Sequence, residues 1–232
     1  MKLPHHIYKI ISKIEKERSS LISPPITRKL IKHFGGNIGH NYQDSEISLG
    51  YGLIHYGIIR NLKPKRILCI GSMKGFIPAI CALACKNSSH GHVDFVDAGY
   101  DKDNASHWGG EGFWGKVDPK VHFKTLELSS RITTHVTTSE KFAKTTKKMW
   151  SYIYIDADHS YKGVKKDFKL YWPRLEKKGY MSFHDILLKE HPEHDNFGVW
   201  KFWNEISNIS KITIPYTIKG AIPSGLGILQ KQ

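Results

Sequence analysis

Cysteine is scarce in this chain of 232 residues: there are three, Cys69, Cys81 and Cys85, an odd count with no paired spacing. That excludes a disulfide-built secreted framework and leads us to expect a reducing, cytoplasmic setting. Cys81 and Cys85 stand four apart in an apolar segment, the spacing of one helix face, and read as packing residues. Long uninterrupted apolar runs are also missing. The stretch 7–14 is broken by Lys9 and Lys13 and followed by Glu15, Lys16 and Glu17, which is the pattern of neither a signal peptide nor a membrane span. Internal repeats and low-complexity tracts are absent, which excludes a solenoid.

What is present describes an ordinary folding chain. Hydrophobic residues make up 40%, aromatics 12%, and there are six tryptophans, which argues against disorder. The length suits one large α/β domain that buries a core unaided. The formal charge of +14 invites a nucleic-acid partner. The lysines are nevertheless spread over 63–66, 141–148, 162–169 and 174–178, where helices would show a solvated face.

The order of elements sets the fold class. Residues 7–19 and a segment through Leu30 read as helices, with a break at Ser23-Pro24-Pro25 and a turn at Gly35-Gly36. We expect 1–44 to be an N-terminal helical cap and 45–232 the main domain. A helix over 45–61, N-capped by Asp44 or Ser45, precedes the near-continuous apolar strand 66–70. The turn Gly71-Ser72-Met73-Lys74-Gly75 and an apolar helix over 76–85 follow. Further strands are expected at 93–96, ending at Asp97; at 135–137, before a helix opened by Ser139 and Glu140; at 152–155, ending at Asp156; and at 180–183, ending at His184-Asp185. A helix over 164–175 lies before the last of these, and Lys178-Gly179 is expected to turn into it. Strands alternating with helices imply a parallel sheet with its site along the carboxyl edge. After a helix near 199–206, the pieces 211–218 and 226–229 have no room for a crossover and should form a terminal hairpin.

A glycine turn between a buried strand and a helix lets backbone approach a ligand and aims helix N–H groups at negative charge. A dinucleotide fingerprint needs G-x-G-x-x-G, and here Gly71, Met73 and Phe76 occupy those places, which disfavours a nicotinamide or flavin. Asp97, at a strand end, is placed to accept both hydroxyl protons of an adenosine ribose.

These residues resemble a known family. Residues 67–75, Asp97, the stretch Tyr154-Ile155-Asp156-Ala157-Asp158-His159-Ser160-Tyr161-Lys162-Gly163-Val164, then Asp167, Trp172, Leu175, Gly179 and His184-Asp185 are similar to class I S-adenosylmethionine-dependent methyltransferases. Within that class they look most like the macrocin-type and other sugar O-methyltransferases. The resemblance covers roughly 45–186. It implies a Rossmann-like, seven-stranded, mostly parallel sheet with an antiparallel last strand and helices on both faces. It implies S-adenosylmethionine as cofactor, held by Gly71, Ser72, Gly75, Asp97, Thr138, Ser139 and Asp156. Two departures stand out: Cys69 where the family has an acid, and Met73 where it has a glycine.

Asp156 and Asp185 end neighbouring strands, so their carboxylates can converge. Similar enzymes hold a divalent ion at these positions, Mg²⁺ being the ion implied; His184 and Ile186, which flank Asp185, are not natural Mg²⁺ ligands. The implied reaction is methyl transfer to a hydroxyl of a sugar, glycan precursor or secondary metabolite, with Asp158 or His159 taking the proton. An insert at 100–119 carries Trp108 and Trp114 and is a candidate lid, or else a satellite hydrophobic cluster. His191, His194 and Asp195 read as a solvated loop or a further metal group. A homodimer is a further expectation. The alternatives are a nucleic-acid methyltransferase, a non-catalytic binding module suggested by Cys69 and Met73, and a metal-dependent hydroxylase on the same scaffold.

Overall fold

A computed structural model describes residues 22–34, 49–100, 112–190, 196–218 and 222–232. The expected helix over 7–19, Asp44, Ser45, Trp108, His191, His194 and Asp195 lie outside these residues.

The centre of the fold is β1 (Arg66–Ile70), flanked by β2 (His92–Asp97) and β4 (Trp150–Ile155), with β3 (Ile132–Val136) and β5 (Leu175–His184) outside them. All four pairings are parallel. Beyond β5 lies β9 (Leu226–Gln230), antiparallel to it, and then β6 (Ser210–Ile214), antiparallel to β9. This is a seven-stranded sheet of order β3-β2-β1-β4-β5-β9-β6. The last two long strands are the expected terminal hairpin. A short ladder of β7 (Thr217–Ile218) with β8 (Ile222–Pro223) lies towards its tip.

Helices cover both faces because β1 is apolar at every other position on each side. Ile67 and Cys69 face one core with α1 (Pro24–Phe34), α2 (Gly52–Leu62), α3 (Phe76–Asn87), α4 (Phe113–Lys116) and α5 (Pro119–Lys124). Leu68 and Ile70 face the other, with α6 (Ser139–Thr145), α7 (Tyr161–Tyr171) and α8 (Val199–Glu205). Strands covered on two sides need no polar face, which is why the 66–70 run is unbroken. The preface helix α1 is built into the first core through Leu30 and Phe34, whose ring meets Phe76 at 5.5 Å.

Several boundaries differ from expectation: β3 begins at Ile132 rather than 135, and α7 spans Tyr161–Tyr171 rather than 164–175. The helix expected over 45–61 begins at Gly52, after a turn through Leu49, Gly50 and Tyr51, and Tyr51 stands at its N-cap. Gly50 at φ 50° belongs to that turn, and the turn brings Tyr51 against the site described below. Lys178-Gly179 does not precede the strand but lies inside β5, with Lys178 at φ 61° and a register shift against β4 between Trp150 and Tyr152. From Leu175 to Tyr180 the strand advances five residues where β4 advances two, so the irregularity takes up extra residues without ending the ladder, and a local turn signal cannot distinguish the two outcomes.

Candidate active site

The carboxyl ends of the parallel strands form one rim. The turn after β1 is held between its neighbours: the Gly71 amide donates to the Val96 carbonyl at 2.8 Å, and the Asp156 amide donates to the Ile70 carbonyl at 2.8 Å. Gly71 sits at φ 70°, and a Cβ there would stand 2.2 Å from the Asp156 carbonyl oxygen and 2.5 Å from the Ala157 Cα. Only glycine fits, because the loops after β1 and β4 touch backbone to backbone.

Met73, where the resembled family carries glycine, is left-handed at φ 46° with its side chain exposed. Its carbonyl accepts a 2.7 Å hydrogen bond from the Trp114 indole. Trp114 in turn stacks on Phe123 at 5.7 Å, and the two rings pack beneath Gly75. Trp114 is thus a buried prop of the turn. Because L-residues lose roughly 1–2 kcal/mol in this backbone region, Met73→Gly is expected to leave stability unchanged or raise it by up to about 1 kcal/mol, despite the added unfolded-state entropy. Chemical denaturation measures this; a loss above 1 kcal/mol would contradict it. Cys69 lies fully buried against Cys81 of α3, and hydrogen bonding between the two thiols, with burial, holds the Cys81 thiol well above its ordinary range. The position supplies packing.

Asp97 ends β2 beside this turn. Its Oδ1 accepts the Gly99 amide at 2.8 Å, and the Ser72 amide also donates to it. Burial pushes its carboxyl up to about 6 in spite of those two amides. One strand further, Thr138 caps α6 by accepting the Lys141 amide. Ser139 donates to Asp167 of α7 at 2.6 Å, so its hydroxyl ties two helices together.

The loop after β4 explains the most specific motif in local terms. Asp158 accepts the Ser160 amide at 2.9 Å, and Ser160 caps α7 by accepting the Gly163 amide at 3.0 Å. A Cβ on Gly163 would stand 2.1 Å from the Asp158 carboxyl carbon, so the acid is tucked against the first turn of the helix. His159 turns the other way and stacks on Phe197 at 5.4 Å.

Four side chains converge there. His159 Nε2 is 2.9 Å from Asp156 Oδ1 and 3.5 Å from Asp185 Oδ2. His184 Nδ1 is 3.2 Å from each of the same two oxygens. The outer oxygens are fixed by hydroxyls: Tyr154 donates to Asp156 Oδ2 at 2.8 Å, and Ser224 donates to Asp185 Oδ1 at 2.5 Å. Burial opposes charge on Asp156, but His184 and the bonds from His159 and His184 outweigh it and hold its carboxyl well below the usual range. The same contest leaves Asp185 at about 2, His184 being the main opposing charge. His184 is held well above its ordinary value, burial being overcome chiefly by Asp185. Tyr51 stacks on His184 at 4.9 Å and on Tyr216 at 5.3 Å.

Gly71, Ser72, Asp97, Asp156, His159 and Asp185 therefore lie along one edge. Asp158, Thr138 and Ser139 make local contacts beside it. Sequence reasoning does not single out Tyr51, Tyr216 or Ser224, which come from the turn before α2 and from the terminal hairpin. No local pattern marks them, since each acts through a partner distant in sequence.

A mostly parallel sheet reversed at its end, with a glycine turn, an acid and a polar cluster on one rim, defines the Rossmann-like methyltransferase fold. Residues 68–186, just over half the chain, match the methyltransferase-domain family, and the chain belongs to it. It is similar to the O-methyltransferase of Bacillus cereus in complex with S-adenosylhomocysteine, at 12% identity over 93% of this chain and 94% of that one, with a TM-score of 0.63. It is also similar to TomG of Streptomyces achromogenes, an O-methyltransferase of tomaymycin synthesis in complex with S-adenosylmethionine, at 13% identity over 94% and 95% of the chains, with a TM-score of 0.62. Among curated sequences it is 24% identical over 204 residues to protein y4gI of Sinorhizobium fredii. That match spans 82% of this chain and a fifth of the length of that relative. Among the described residues no helix is long and apolar enough to cross a membrane.

Proposed function

We propose that this methyltransferase uses S-adenosylmethionine to methylate a hydroxyl of a small molecule, a sugar, glycan precursor or secondary metabolite being the class that the sequence resemblance suggests. The observation that carries this reading is the shared rim: a turn that admits only glycine, an acid at the end of β2, and a buried imidazole–carboxylate cluster beside them. Gly71, Ser72 and Gly75 let the cofactor approach the backbone, and Asp97 binds its ribose. The S–CH₃ bond breaks as the O–CH₃ bond forms, and the hydroxyl proton passes to His159 Nδ1, while the Nε2–H donates to Asp156 and the two carboxylates stabilise the imidazolium. Asp158, the other residue expected to take the proton, is occupied by the loop backbone. Alignment of donor and acceptor supplies the rest of the rate.

Mg²⁺, implied for Asp156 and Asp185, does not fit the residues present. Two of the four converging donors are imidazole nitrogens, whereas Mg²⁺ keeps to oxygen.

Calorimetry with S-adenosylmethionine tests the reading, followed by methyl transfer to a panel of sugars and phenols. Binding is expected, and because the ribose hydroxyls need an ionised Asp97, affinity should be flat above about pH 7. It should fall nearly tenfold per pH unit below about 6, the value to which burial raises this group. No binding at millimolar cofactor would sink the proposal in favour of a non-catalytic module. Methyl incorporation into RNA, with steep salt dependence, would shift it to the nucleic-acid class suggested by the charge of +14.

A further inference from the structure

The mismatch with Mg²⁺ has a positive side. We propose that Asp156 Oδ1, His184 Nδ1 and Asp185 Oδ2 form a site for a borderline divalent transition ion such as Mn²⁺, Co²⁺ or Zn²⁺, and that His184 sets this preference. The inference relies on the previous section only for His159 staying outside the donor set.

The geometry is that of a built site. An ion with bonds of roughly 2.0–2.2 Å holds neighbouring donors roughly 2.8–3.6 Å apart, and His184 Nδ1 stands 3.2 Å from each inner carboxylate oxygen. Both carboxylates are oriented from behind, Asp156 by the Tyr154 hydroxyl and Asp185 by the Ser224 hydroxyl. The stack with Tyr51 fixes the plane of the His184 ring. Outer contacts of this kind direct ligands toward a common point. Asp156 follows β4, His184 ends β5 and Asp185 follows it, and β4 and β5 are paired, so the sheet framework holds the three donors. Asp185 adopts φ 57°, a left-handed conformation that aims its carboxylate back into the cluster at a local cost. His159 reaches the cluster from the loop and keeps a 2.9 Å hydrogen bond to Asp156. Three protein donors leave coordination positions open, as sites of catalysis do. An imidazole among them favours later first-row ions over Mg²⁺.

The test uses the full chain stripped with chelator and titrated calorimetrically with Mg²⁺, Mn²⁺, Co²⁺ and Zn²⁺. One ion per chain is expected, with Co²⁺ and Zn²⁺ at least 100-fold tighter than Mg²⁺. Pulsed electron paramagnetic resonance of the Mn²⁺ form should show ¹⁴N coupling from one imidazole, a readout that needs no variant and no turnover. His184→Asp, checked for folding by its thermal melt, should cut the preference for Co²⁺ over Mg²⁺ at least tenfold. His159→Ala should keep ion affinity within about threefold while losing turnover. Equal affinity for Mg²⁺ and Co²⁺, no ion binding, absent ¹⁴N coupling, an unchanged preference in a folded His184→Asp protein, or loss of the ion in His159→Ala would each overturn the assignment. Since S-adenosylmethionine binding is measured separately, failure of the ion site leaves the methyltransferase reading standing, and the reverse also holds.

Discussion

Replacing Gly71 by alanine is expected to destabilise the protein by at least about 3 kcal/mol and to abolish cofactor binding. The added Cβ would meet the Asp156 carbonyl at 2.2 Å and the Ala157 Cα at 2.5 Å, and both are backbone atoms that no rotamer change can move. The φ of 70° adds the cost of a left-handed L-residue. Relief requires parting the loops after β1 and β4, which displaces Asp156 and with it the cluster on the rim. Denaturant titration and cofactor calorimetry on the variant measure both effects. A protein within 1 kcal/mol of the parent that still binds S-adenosylmethionine would show that the two loops are not in contact. Gly75→Ala should be milder, because its Cβ would meet the rings of Phe123 at 2.9 Å and Trp114 at 3.0 Å, side chains that can shift.

The second large effect separates two neighbours in one motif. His159→Ala is expected to lower kcat by roughly 10²–10⁴-fold, the usual worth of a positioned acid–base group, while the KM for cofactor changes little. Asp158→Asn should retain turnover within about tenfold and instead lose about 1–2 kcal/mol of stability. Its carboxylate bonds the Ser160 amide and packs on Gly163 at the start of α7, where a negative charge is favourable. The pair of measurements is steady-state kinetics and a denaturant curve for each variant. The reverse pattern, with His159→Ala active and Asp158→Asn dead, would exchange the two roles.

Asp97 shows the cost of a site in the same terms. Its folded value of about 6 lies above the ordinary 3.8, so its ionised form opposes folding. That penalty is absent at acid pH and grows as pH rises from about 4 through 6. Asp97→Asn is therefore expected to be more stable at pH 7, by up to about 2 kcal/mol, and to lose cofactor affinity. A less stable variant at pH 7 would show that the carboxylate is held by its amide donors rather than tolerated for its ligand.

By itself the sequence determined the parallel sheet, because each strand's apolar run, the glycine turn after Ile70 and the acids at 97, 156 and 185 are local signals read within a few residues. It determined the terminal hairpin too, since the span between the pieces 211–218 and 226–229 leaves no room for a crossover. Tertiary structure decided what depends on contacts between distant segments. Whether Lys178-Gly179 is a turn or a bulge hinged on the ladder with β4, and the start of α2 on a turn that delivers Tyr51 to His184. The different contacts of Asp158 and His159 could not be read from adjacency, because each is set by a partner outside the pair. Packing with Gly163 took one, and the carboxylates of two strand ends took the other. Tyr51, Tyr216 and Ser224 joined the cluster only when the turn before α2 and the hairpin closed over the rim, since the stack of Tyr51 on His184 and the Ser224–Asp185 hydrogen bond join separate segments, neither of which carries a mark of the contact alone.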